Sequence, residues 1–153
     1  MKIIFLDFDG VIKTDYSSDE DKGIKGGRDW VQPELVSHLN KIIEATGANV
    51  VVSSVWRKLY SVCELREILN KAGFKGKVIG KTGNDPSGIR GREIQEWLDT
   101  CPRKSVEQFV IIDDSSDMEH LMDKLVKTYT YEGLTEKHIG LAVEMLNEGI
   151  DVD

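Results

Sequence analysis

The sequence predicts an α/β protein, a parallel sheet held between two layers of helices. Three observations carry that expectation. Apolar runs at Ile3–Leu6, at Val50–Val52 and within Gln108–Ile112 lack the alternation of a half-solvated strand, so they read as strands covered on both faces. Helix-period stripes fall between these runs, so strand and helix alternate along the chain. The strong strands also end in polar side chains: Asp7 and Asp9 after the first, Ser53 and Ser54 after the second, Asp113 and Asp114 after a later one. Parallel strands place their carboxyl ends on one edge of the sheet, where ligands bind.

The elements follow in order. Ile3–Leu6 breaks off into Asp7-Phe8-Asp9-Gly10. Residues 10–30 carry Asp15, Asp19, Glu20 and Asp21 and, after Gly10, the glycines Gly23, Gly26 and Gly27, without strand or helix period, and are expected to form an exposed, flap-like loop. Pro33 suits a first helical turn, Leu35, Val36, Leu39, Ile42 and Ile43 form one apolar stripe, and Gly47 ends that helix. The strand Asn49–Ser53 empties into Ser54-Val55-Trp56-Arg57. Val62, Leu65, Ile68, Leu69 and Ala72 mark a helix closed by Gly73, and a short strand is expected around Lys77–Ile79. A loop rich in Gly, Asn, Asp and Pro leads to a helix carrying Ile94, Trp97, Leu98 and Cys101, stopped by Pro102. After the strand Gln108–Ile112, Met118, Leu121, Met122 and Leu125 suggest a short helix, and Leu125–Thr130 a last strand. Thr135 caps a final helix with Ile139, Ala142, Val143 and Leu146 on its stripe.

Length and composition bound the possibilities. At 153 residues, 40% apolar and 31% charged, the chain fits one globular domain spanning 1–153. No apolar run approaches the roughly 20 residues that cross a bilayer. The first strand is followed by acids rather than a small-residue cleavage site, so it does not read as a signal peptide. Cys63 and Cys101 make neither a disulfide framework nor a metal knuckle, and a cytoplasmic location with free thiols is expected. The net charge of −7 argues against non-specific binding to a phosphate backbone, which draws on lysines and arginines.

Carboxylates converging in one crevice repel each other unless a cation sits among them. Oxygen donors with no His or Cys nearby favour Mg²⁺ over zinc. A hard cation with hydroxyls and cationic side chains suits a phosphoryl group. A free carboxylate held in line with phosphorus can attack it, and a second carboxylate two residues on can handle the proton.

Asp7-Phe8-Asp9-Gly10, the Val-Val-Val-Ser53 strand end and Ile-Ile-Asp113-Asp114 resemble, in this order, the first, second and fourth motifs of the haloacid dehalogenase (HAD) superfamily of phosphohydrolases. Ser-Ser-Val-Trp56-Arg57, Val-Ile-Gly-Lys81-Thr82, Arg90-Gly-Arg-Glu93-Ile94 and Gly133-Leu134-Thr135 resemble small HAD domains associated with phage and bacterial RNA-repair proteins. The phosphatase half of polynucleotide kinase-phosphatase is a more distant likeness. The resemblance implies a Rossmann-like three-layer domain without a large cap, a Mg²⁺ cofactor and an aspartyl-phosphate. It implies Asp7 as nucleophile and metal ligand, and Asp9 as general acid and base with its carbonyl on the metal. Ser53, with Ser54, would donate to phosphoryl oxygens, and Asp113 would hold the metal with Asp114 beside it. The third motif requires one cation, and Arg90, Lys81 and Arg92 all compete for it. Arg57 would be a second phosphate contact.

The expected partner is a phosphorylated substrate, either a nucleic-acid 3′ end or a nucleotide or small metabolite, with no membrane. A non-catalytic phosphate- or partner-binding module is the reading of another class. His38, His120 and His138 lie away from the strand exits and read as surface or packing residues, as does Trp97. Trp30 and Trp56 adjoin the crevice and read either as packing or as surfaces for a base or sugar.

Overall fold

The computed structural model describes residues 1–14, 30–101 and 106–148. Its elements are β1 (Lys2–Leu6), α1 (Pro33–Thr46), β2 (Asn49–Val52), a 3-10 turn (Val55–Lys58), α2 (Val62–Lys71) and β3 (Val78–Lys81), then α3 (Arg90–Thr100), β4 (Gln108–Asp113), a 3-10 segment (Glu119–Lys124), β5 (Leu125–Lys127) and α4 (Glu136–Leu146). The five strands are parallel, in the order β3-β2-β1-β4-β5. The most apolar strand is therefore central. Ile3, Ile4, Phe5 and Leu6 are wholly buried, which is why β1 shows no alternation.

Successive residues of each strand serve opposite layers. Ile4, Leu6, Val50, Val52, Val110 and Ile112 pack with Leu35, Val36, Leu39 and Ile42 of α1, Leu65 and Leu69 of α2, and Ala142 and Leu146 of α4. Ile3, Phe5, Val51 and Ile111 pack with Ile94 of α3 and with Met118 and Leu121. Each fully buried aliphatic or aromatic side chain contributes about 1.5–3 kcal/mol.

Local signals set the helix ends on the first layer. Pro33 opens α1, and Gly47 closes it at φ 71°, its N–H bonded to the Ile43 carbonyl. Ser61 and Glu64 form a reciprocal capping box at the start of α2. Between Arg57 and Arg90 the chain is occupied by the end of the 3-10 turn, α2 and β3, so no large cap domain is evident.

Three details differ from the sequence reading. β3 runs Val78–Lys81, not Lys77–Ile79. The segment after Met118 is a 3-10 helix, because Met118 and Leu121 bury at a spacing of three, the 3-10 repeat. β5 ends at Lys127 rather than Thr130, since the buried Thr128 turns its hydroxyl to the Gly10 carbonyl at 2.7 Å. Most of the flap expected over 10–30, with Asp19, Glu20 and Asp21, lies outside the described residues, as does Pro102. Among the described residues no helix is long and apolar enough to cross a membrane.

Candidate active site

Strand register assembles the site. Leu6 is paired with Val52 on one side and Ile112 on the other, so the next residues, Asp7, Ser53 and Asp113, emerge side by side. The Asp7 N–H donates to the Ile112 carbonyl at 3.0 Å, and the Ser53 N–H donates to Leu6 at 2.8 Å. Asp7, Asp113 and Asp114 each bring one carboxylate oxygen to within 4.8 Å of the others. Ligand oxygens around an octahedral Mg²⁺ lie about 2.9–4.2 Å apart, so this donor set fits a hard divalent cation.

Burial and mutual repulsion make the cluster costly without a cation. Burial, and then the Asp113 charge, hold the Asp7 carboxyl well above its ordinary range. Burial also raises Asp113, against the opposing pull of Arg90. Asp114 accepts from the Thr130 hydroxyl at 2.8 Å. It also packs onto Gly10, where a Cβ would stand 2.2 Å from Asp114 Oδ2. Gly10, at φ 84°, is thus required twice, for its backbone and for the space it leaves.

Of the three cations that compete in sequence, Arg90 is the one at the acids. Its Nη1 lies 2.6 Å from Asp113 and 3.8 Å from Asp7. Arg92 points to Glu119 at 3.1 Å, and Lys81 donates to the carbonyls of Arg57 and Tyr60 at 2.9 and 3.1 Å. The helix carrying Arg90 is capped from outside. The Asp117 carboxylate accepts from the Arg90 N–H at 3.1 Å, and its carbonyl accepts from Gly91 at 3.0 Å. Burial works to raise Asp117, but bonds from the Ser115 hydroxyl and the Arg90 N–H leave it below its usual range.

Arg57 is 5% exposed, and its donors go to the protein. They reach the carbonyls of Ser54 at 2.8 Å and Gly83 at 3.2 Å, Asn84 Oδ1 at 3.0 Å and Glu93 at 2.9 Å. The guanidinium expected on a phosphate ties the 3-10 turn, the loop after β3 and α3 together. Burial lowers it, opposed by the Glu93 charge. The equally buried Glu93 also takes the Asp85 N–H at 3.1 Å and sits 3.9 Å from Arg90.

Hydroxyls behave differently. Ser54 Oγ accepts from the Trp56 N–H at 3.2 Å, starting the 3-10 turn. Ser53 Oγ is buried at the end of β2 and has no hydrogen-bond partner among the described residues, and neither has Thr82 Oγ1 just past β3. A buried hydroxyl without a partner is costly, so Ser53 is suited to an acceptor that comes with a ligand.

The chain was compared with protein families, curated proteins and solved structures. A model of the HAD domain in Swiss Army Knife RNA repair proteins matches residues 3–139. The chain belongs to this family. No curated protein and no solved structure matched significantly. Family membership points generally to phosphatase-type hydrolase chemistry; such domains generally use Mg²⁺, and the acid cluster here could bind a metal ion.

Lys13 and Thr130 of the HAD domain's crevice carried no signal in the sequence, and Trp56, which reads there as packing or as a stacking surface, makes a polar contact instead. The Trp56 indole N–H donates to Asp9 Oδ2 at 3.0 Å, so the Asp9 carboxyl is turned toward the 3-10 turn. Lys13 is buried, donates to the Trp30 carbonyl at 3.0 Å and lies over the Trp56 ring at 5.5 Å. Thr130 and Glu93 complete the second ring of contacts around the acids and Arg90. A Ser-Val-Trp-Arg run beside a strand exit was the available signal. Its contacts depend on how the turn folds back.

Proposed function

We propose that the chain is a Mg²⁺-dependent phosphomonoesterase acting through an aspartyl-phosphate on Asp7. The carrying observation is the register that sets Asp7 between Asp113 and the unpartnered hydroxyl of Ser53, with Arg90 on the acids. An Asp7 oxygen attacks phosphorus, and the P–O bond to the leaving oxygen breaks. Asp9 gives that oxygen its proton. Water then attacks the phosphorus of the aspartyl-phosphate, Asp9 takes the water's proton, and phosphate leaves with Asp7 restored. Ser53 donates to a phosphoryl oxygen and Arg90 supports the charge of the transferring group. Mg²⁺, held by Asp7, Asp113 and Asp114, would neutralise that charge.

The favoured substrate is a nucleic-acid end bearing a 3′-phosphate. The family's link to RNA repair and the lack of a large cap support it. So does the loop that Thr130 ties to Asp114, on which Tyr129 and Tyr131 are 71% and 82% exposed, ring faces that suit stacking on a base. The net charge of −7 favours a second reading, a nucleotide or small metabolite. Purified protein with Mg²⁺ is expected to release phosphate from a generic phosphomonoester, and to prefer a 3′-phosphorylated oligoribonucleotide over free nucleotides. The reverse preference selects the second reading. Absence of turnover on every phosphomonoester leaves a binding module.

A further inference from the structure

We propose that Trp56 is a positioning residue for the proton-transferring carboxyl, fixing which oxygen of Asp9 moves the proton. The inference rests on the phosphatase reading above. An indole N–H can only donate, so the oxygen it meets, Asp9 Oδ2 at 3.0 Å, is held as an acceptor. The proton exchanged with the leaving oxygen and later with water therefore travels on Oδ1.

The indole is well placed to impose this. It is 6% exposed, packed edge-on against Phe8 with ring centroids 5.1 Å apart, and tilted against Tyr60 at 5.9 Å. The Lys13 ammonium lies over its face, drawing electron density from the ring and strengthening the N–H as a donor. Lys13 is itself tied to the Trp30 carbonyl, so donor, ring and cation form one fixed stack. Packing alone would be met by a phenyl ring. The N–H is what reaches Asp9.

Trp56→Phe removes that N–H and keeps most of the ring. The readout is kcat/KM on two substrates. An alkyl phosphate needs the leaving oxygen protonated, whereas p-nitrophenyl phosphate releases a stable anion. The expected loss is about 10-fold on the alkyl phosphate and under about 2-fold on the aryl one. In an Asp9→Asn background Trp56→Phe should add no further loss. Equal loss on both substrates, or a further loss without Asp9, overturns the proposal. A second measurement leaves Trp56 intact: of the three indole N–H resonances of the metal-free protein, one should move upfield in Asp9→Asn. If none moves, the contact is absent and the proposal fails. Turnover that survives Asp7→Asn is a different result, and it removes the phosphatase reading itself.

Discussion

On the β1–β4 side of the crevice three carboxylates crowd within 4.8 Å, and two of them, Asp7 and Asp113, share the Arg90 guanidinium. On the β2–β3 side the strand ends carry the hydroxyls of Ser53 and Thr82, buried without partners, while Arg57 and Lys81 give their donors largely to backbone carbonyls. Both halves bury polar groups, and both are under-compensated, but in opposite senses. The acid half carries surplus negative charge and calls for a cation. The hydroxyl half carries surplus donors and calls for an anion. Under the proposed function a phosphoryl group with a divalent metal would supply both, and the two halves would be read as one site.

The comparison breaks most decisively at Asp7. Asp7→Asn should lower turnover by on the order of 10⁴-fold or more. It should also stabilise the metal-free protein. Folding raises the Asp7 carboxyl, so the native state binds more protons than the unfolded chain between the ordinary carboxylate range and the raised value. Stability of the metal-free protein therefore falls as pH rises through that window, and the asparagine variant escapes much of that fall. Thermal melts in chelator from mildly acid to neutral pH check the sign. A variant no more stable than wild type at neutral pH would show that the acid half is not strained.

Arg90→Ala is next, with an expected rate loss of about 10²–10³-fold. It leaves Asp7 and Asp113 without their guanidinium, at a cost of about 3–5 kcal/mol in the metal-free protein. Added Mg²⁺ should restore part of that stability by mass action. If Lys81→Ala instead carries the rate loss, the third-motif cation belongs on the other half of the crevice.

Ser53→Ala sharpens the contrast. Removing a phosphoryl donor should lower kcat/KM by about 10²-fold. Removing a hydroxyl that has no partner should cost under about 0.5 kcal/mol of stability, in either direction. Loss of stability with unchanged kinetics would make it a packing residue. Arg57→Ala is expected to show the converse, with the smallest effect on rate, within about 10-fold. Its cost in denaturant unfolding should be about 3 kcal/mol, because it strands Glu93. A large rise in KM with stability intact would return Arg57 to the phosphate.

The parts legible in sequence were those whose physics is local. β1, β2 and β4 announced themselves because covered strands cannot alternate, and register then brought Asp7, Ser53 and Asp113 together. Pro33 and Gly47 bounded α1 from within its own segment. The choice of Arg90 over Lys81 and Arg92 was not legible. It depends on the first turn of α3 docking on Asp117, 27 residues later in the chain. The tie between Arg57 and Glu93 and the turn of Trp56 toward Asp9 are likewise contacts between distant segments. No periodicity encodes them. The early end of β5 has the same origin, in the bond from Thr128 across to Gly10.

The seam between α3 and the loop that follows β4 has a bearing on exchange of parts between relatives. A Cβ at Gly91 would stand 2.3 Å from the Met118 carbonyl, and Asp117 holds the helix by two backbone N–H groups. Helix and loop are thus one interlocking piece, although 16 residues and a strand separate the end of one from Asp117 in the other. A chimera that grafts a foreign α3 while keeping the native 113–118 loop should misplace Arg90. One that transplants both together should keep it, so the natural cut points for recombining this domain lie outside that pair.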